Sequence, residues 1–300
     1  MSKMKTNGML ILTAFIWGMA FVAQKVGMDY VGPLTFNALR SFIGAVVLLP
    51  VIVLLDRQRD HFGVKKPVWN DKTLILGGIC SGIFLCIGST LQQYALMESS
   101  VGKVGFITAL YILIVPILGV FLKKQIPSNV WIAVFVAIIG MYFLCMTEGF
   151  SINHGDLLAM LCAFAFAAQI MVVDYFSPKV DSVRMSSIQF LVVGIIAGTG
   201  ALFRETIHIT EVMNAYRPLL YAGVLSCGVA YTLQIVAQKH AQPTIASLLM
   251  SLESVFSVLG GWILLGQVLS PRELFGCTLV FTGVLLAQIP IPKLTKKKRE

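Results

Sequence analysis

The sequence predicts an all-α polytopic membrane protein of ten transmembrane helices, and three observations carry that expectation. Hydrophobic residues make up 57% of the 300 positions and charged residues only 12%, against about a quarter charged in a soluble domain. Mean hydropathy is +0.84. The apolar residues fall into ten runs of about 20, the length that crosses a hydrocarbon layer, with gaps of mostly a few residues between them. Spans at that density leave no room for a soluble catalytic domain.

In chain order the runs cover about 8–27, 34–55, 73–96, 101–122, 129–147, 155–175, 185–203, 216–237, 243–265 and 271–290. The first follows only Met1 to Asn7, lacks a small-residue cleavage site and leads directly into further spans, so it reads as a retained helix rather than a removed signal peptide. The gaps at 97–100 and 239–242 are so short that the helices flanking them must form antiparallel hairpins. The longest gap, 56–72, is basic and places Trp69 at an expected interface.

The net charge of +9 does not mark a nucleic-acid partner, because the Lys and Arg residues sit in the gaps and at the C-terminus. With ten spans and the N-terminus inside, seventeen fall on the cytoplasmic side and five opposite, and Arg40 within the second span completes the 23. The excess places both termini in the cytoplasm of a cell whose inner or plasma membrane holds the chain. All six cysteines fall inside apolar runs, without a CxxC pair or a neighbouring His, so no metal and no cofactor is expected.

The halves resemble each other. Leu110-Tyr111, Gly119 and Gln125 match Leu252-Glu253, Gly261 and Gln267 at a constant offset of 142 residues, and Gly8-Met9-Leu10 with Trp17 aligns with Gly155-Asp156-Leu157 and Phe164. Residues 1–147 form the first repeat (helices 1–5), 148–291 the second (helices 6–10) and 292–300 a basic cytoplasmic tail. An odd number of spans per half makes the second half enter the membrane in the opposite sense, an inverted repeat common among secondary transporters.

Two stretches make the resemblance to a known family specific: Leu252-Glu253-Ser254-Val255-Phe256 through Gly260-Gly261-Trp262-Ile263-Leu264-Leu265-Gly266-Gln267, and Phe15-Ile16-Trp17-Gly18 to Lys25 followed by Pro33-Leu34-Thr35-Phe36-Asn37-Ala38-Leu39-Arg40. They resemble the EamA branch of the drug/metabolite transporter superfamily over nearly the whole chain. The family more often carries Pro where Ser254 stands and Glu where Gln267 stands. The resemblance implies ten helices in two EamA repeats around a cavity lined mainly by spans one, three, four, six, eight and nine, and it supplies the expected cargo class, a small polar or amphipathic, amino-acid-like metabolite; export is the expected direction.

Glu253 is the most informative residue, since a charge near the middle of a span costs about 2.5–3.5 kcal/mol on insertion scales and must face the bundle interior. Two roles fit it: binding an amino group or carrying a coupling proton, and tying its helix to a neighbour as a hydrogen-bonded carboxyl. Tyr111, its counterpart at the 142-residue offset, should lie near it at the midplane, as a cavity group or as packing. Trp17 lies mid-span and is either cavity lining or core. Gln93, Gln169 and Gln234 are further candidates for substrate contact, with helix–helix bonding as the alternative; Gln92 and Gln189 carry the same weaker signal. Arg40 and Lys25 are expected to snorkel to the headgroups, Gly78 with Gly82 and Gly194 with Gly198 to let helices approach, and Pro116 to bend the fourth span.

No HExxH, phosphate-binding Gly loop, GxSxG or intramembrane Ser-His-Asp set occurs. The function expected is therefore a carrier working by alternating access on a small molecule, with the proton as candidate coupling ion and the bilayer as surroundings. A passive facilitator and, behind it, a membrane-embedded enzyme are the alternatives.

Overall fold

The computed structural model describes residues 1–64, 67–124, 126–145, 153–266 and 270–288. Gln125, Gln267 and the tail 292–300 lie outside them. Among the described residues the chain is helical, without strands. Eight helices are long and apolar enough to cross a membrane: α1 Lys3–Gly27, α2 Pro33–His61, α3 Lys72–Glu98, α4 Val101–Phe121, α6 His154–Phe176, α7 Ser182–Arg204, α8 Tyr216–Gln238 and α9 Pro243–Leu265. Two shorter apolar helices, α5 Ser128–Cys145 and α10 Pro271–Gln288, pack against each other.

Local chemistry sets the ends. Ser2, Asp71 and Asp181 cap the first turns of α1, α3 and α7 with side-chain oxygens, and Asn153 with Asp156 forms a capping box on α6. Pro33 and Pro243 open α2 and α9, where a missing N–H costs nothing. Gly266 closes α9 at φ 65°, a left-handed position that favours glycine.

Two helices are interrupted at equivalent points. α4 breaks at Leu110, between segments Val101–Ala109 and Tyr111–Phe121, and α9 breaks at Ser251 and Leu252, between Pro243–Met250 and Glu253–Leu265. Pro116, expected to bend α4, instead lies within its second segment, six residues beyond the break. In α9 a ladder of buried hydroxyls turns back on the helix: Ser247, Ser251, Ser254 and Ser257 each donate to the carbonyl three residues earlier. Such bonds compete with the regular helical ladder and favour a local bend. α8 carries a π-helical stretch, Tyr221–Tyr231, and the Thr13 hydroxyl of α1 donates to the Ala230 carbonyl within it.

The packing is close where glycines meet a neighbour. A Cβ at Gly78 or Gly82 would collide with Ile188, or with Val192 and the Gln189 carbonyl, on α7, and one at Gly18 would meet Phe256 and the Glu253 carbonyl on α9. α3 lies against α6 and α7, α2 against α7 and α8, α1 against α8 and α9, and α4 against α6 and α9. The distribution of polarity is that of a protein in lipid. Large apolar side chains such as Leu49, Leu54, Phe121 and Leu202 are exposed, while Asn37, Arg40, Gln93, Gln169 and Glu253 are buried.

Candidate functional site

Several of the polar residues buried in mid-helix converge on one narrow cavity between the helices. Trp17, Gln24 and Phe21 of α1, Arg40 of α2, Gln92 of α3 and Tyr111 of α4 line one part; Phe166 and Gln169 of α6, Ser226, Tyr231 and Gln234 of α8, and Glu253 of α9 line the rest.

Tyr111 and Glu253 are joined directly. The phenol donates to Glu253 Oε1 at 2.9 Å, and both residues are buried, at 2% and 4% exposed. Each is the first residue after the break in its helix. Each also lies ten residues from its helix's start, about 15 Å along the axis and so about half the thickness of a hydrocarbon core. The 142-residue offset of the sequence repeat is thus also the spacing of one hydrogen-bonded pair.

Around this pair stands an aromatic and amide wall. Trp17 packs on Tyr231 with ring centroids 4.5 Å apart, and Tyr231 meets Phe190 edge-on at 5.5 Å. The Trp17 indole nitrogen is buried without an acceptor among the described residues. Gln234 donates to Gln169 Oε1 at 3.1 Å, and Gln169 donates to the Ser81 hydroxyl, which donates to Gln189 Oε1. The Gln234 carbonyl oxygen, buried at the cavity wall, has no partner among the described residues.

Of the residues expected at the site, Glu253, Tyr111, Trp17, Gln169 and Gln234 come together around the cavity. Gln93 does not. It is fully buried, with both amide atoms unpaired among the described residues, and its neighbour Gln92 takes the place at the wall, because successive helical residues point about 100° apart.

Both expected snorkelling residues are tied to protein groups, Lys25 half-buried and Arg40 buried. Lys25 donates to the Leu96 carbonyl near the end of α3 at 2.5 Å. Arg40 is 5% exposed and enters the cavity, with Nε on Asn37 Oδ1 at 3.0 Å and Nη1 on Gln24 Oε1 at 2.9 Å. Asn37 is fixed in turn by donating to Ser89 and Thr90. The signal for this was in the sequence: Asn37, Arg40, Ser41 and Gly44 recur at three- and four-residue spacing, the inner stripe of α2. Tyr231 and Ser226 carried no such signal, because the π-helical turn that positions them breaks the 3.6-residue period.

At one end of the bundle lies a second charged group. Arg184 of α7, 2% exposed, donates to Asp56 of α2 at 2.6 Å and lies 3.7 Å from Asp181. Arg59 of α2 reaches Asp181 at 2.6 Å, and Trp69 lies against the Arg184 guanidinium at 5.3 Å. Burial alone would raise the Asp181 carboxyl. The Arg184 backbone N–H and the Arg59 guanidinium outweigh it and hold the group below the usual carboxylate range. At the opposite end Glu205, just past α7, accepts from the Leu34 and Thr35 backbone N–H groups at 2.8 Å each and from the Thr35 hydroxyl at 2.6 Å, closing the start of α2.

The EamA-like transporter family matches residues 4–146 and again 153–288. Among curated proteins, an uncharacterized transporter of Archaeoglobus fulgidus is 28% identical over 286 residues, covering 94% of this chain and 85% of its own length. The uncharacterized transporter YoaV of Bacillus subtilis is 23% identical, covering 92% of this chain and 94% of its own. A solved structure superposes with a TM-score of 0.78 at 17% identity, covering 96% of this chain and 97% of that one, which establishes a shared fold.

Proposed function

The chain belongs to the EamA-like transporter family, and from that premise we propose that it is a secondary-active carrier moving a small polar or amphipathic, amino-acid-like metabolite by alternating access through the Tyr111–Glu253 cavity. The observation that carries the reading is the buried bond between those two residues at the breaks of α4 and α9. An ionisable group at that depth is costly and commonly marks a substrate or ion pathway, and broken helices meeting at mid-depth are a recurrent form of transporter site.

Two five-helix repeats of opposite sense, residues 1–147 and 148–291, underlie the mechanism. The two family matches, one per half, and the equivalent breaks support this. Two similar units in opposite orientation give inward- and outward-open forms of comparable energy, so a modest rocking exchanges them around a fixed site. The Asp56–Arg184 end faces the cytoplasm with both termini, as the excess of Lys and Arg there favours. The aromatic wall of Trp17 and Tyr231 takes the apolar part of the cargo. Glu253 takes its amino group or exchanges a proton as coupling ion, and export is the direction.

Counterflow tests this. In proteoliposomes preloaded with unlabelled amino acid, uptake of the labelled compound should overshoot and saturate. A linear, non-saturating entry would identify a passive pore instead.

A further inference from the structure

Arg40 is a buried guanidinium without a carboxylate partner. Among the described residues no acidic group lies within ion-pair distance of it, although Glu253 lines the same cavity. This is unlike Arg184, the other deeply buried arginine, which sits between two aspartates. Of the five N–H donors of a guanidinium, Nε and one on Nη1 are used by Asn37 and Gln24. Nη2 and the second Nη1 donor are left. Nη2 is not among the fully buried polar atoms that lack a partner, and the residue lines the cavity. The side chain is also fixed in place, by acceptors that are themselves buried and, at Asn37, tied to Ser89 and Thr90. A guanidinium positioned in this way and left with donors on both terminal nitrogens takes a carboxylate in two parallel bonds.

We propose that Arg40 is the anion-binding residue of the cavity and that the cargo enters with a single compact carboxylate on Arg40. This rests on the cavity being the cargo site. The amino end of the same molecule then lies toward Glu253 and Tyr111, and its side chain against Trp17 and Tyr231. A phosphate ester is disfavoured, because the cavity wall offers one cation and no second Lys or Arg to share a double charge.

Thermal stabilisation of the purified protein by the twenty L-amino acids, each compared with its amide and its amino alcohol, tests the assignment. At least one acid should raise the melting midpoint, with its amide and alcohol binding at least about tenfold more weakly. Arg40→Gln should abolish that discrimination. Should Arg40→Gln fail to fold, Gln24→Glu gives the guanidinium an internal counter-ion at the position of an existing bond. That variant should be at least as stable as the parent while binding the acid about tenfold or more weakly. Acid and amide binding equally well, or Gln24→Glu leaving acid binding unchanged, would overturn the role of Arg40 while leaving the cavity as the site. If no acid, amide or alcohol shifts the midpoint, the cargo class and the Arg40 assignment both fall.

Discussion

The protein treats its buried charges in two ways, depending on where they lie. At the Asp56 end, Arg184, Arg59, Asp56 and Asp181 are matched to one another across α2 and α7, with distances of 2.6 Å for two of the pairs. In the central cavity Arg40 and Glu253 are as deeply buried as Arg184 and Asp181, yet each is held by neutral partners: Asn37 and Gln24 for one, Tyr111 for the other. A charge inside a protein is retained when something compensates it. Where the chain supplies the compensation the charges join helices; where it does not, the carrier proposed above would have its cargo supply it.

The comparison divides the effects of mutation between transport and stability. The largest effect is expected at the centre. Glu253→Gln keeps the shape and the bond to Tyr111 but can neither hold an amino group by charge nor carry a proton, and counterflow should fall by about a hundredfold or more with the protein still folded and monodisperse. Normal transport by this variant from about pH 5.5 to 8, across the range where carriers of protons are expected to respond, would leave Glu253 a purely structural residue.

Arg184→Ala should do the reverse. It removes the more buried of the two arginines shared by Asp56 and Asp181 and leaves Arg59 on both, so the folded state should lose about 2 kcal/mol, read as a lower melting midpoint, while cargo affinity of the folded fraction stays within about twofold. Smaller effects separate the two tryptophans. Trp17→Ala removes the ring packed on Tyr231 and should weaken cargo binding about tenfold, whereas Trp69→Ala removes only a face beside Arg184 and should cost below about 1 kcal/mol of stability with no change in binding. Equal effects of the two on binding would erase the distinction between centre and rim.

The least pronounced expectation concerns acid. Because the folded Asp181 carboxyl is held below its ordinary value, its contribution to stability is fully present above the unfolded pKa of about 3.9 and is lost as pH falls through the folded value. The melting midpoint should therefore decline below about pH 4, and less steeply in Asp181→Asn. A midpoint equally acid-sensitive in both proteins would assign that decline to other carboxylates.

Much of the fold could be read from the chain. Apolar runs of span length with short polar gaps correspond to the observed helices to within a few residues at most ends, because lipid demands continuous apolar helices and little else. The interruptions in α4 and α9 could not be read directly. They arise from tertiary packing and from hydroxyls that turn back on α9, and the visible breaker, Pro116, marks a different position. In the site, Glu253 stood out because charge in a span is rare, and Tyr111 followed from the repeat. Arg40 was visible as a residue but misplaced, since its distance from the helix start suggested the headgroups while the stripe of Asn37, Ser41 and Gly44 on its own face pointed inward. Tyr231 depends on a π-helical turn that no spacing rule anticipates.

The central claim is that cargo occupies the space between Arg40, Glu253 and the Trp17–Tyr231 wall. Ser226, buried and facing that space from α8, offers the most direct test as Ser226→Cys, with a small thiol reagent applied to the purified protein and the modified residue identified by mass spectrometry. Cargo at saturating concentration should slow modification of position 226 by about tenfold or more without altering that of Cys80 or Cys277, which lie partly exposed elsewhere. Unchanged labelling of position 226 with cargo demonstrably bound would place the binding site outside this cavity and contradict the account.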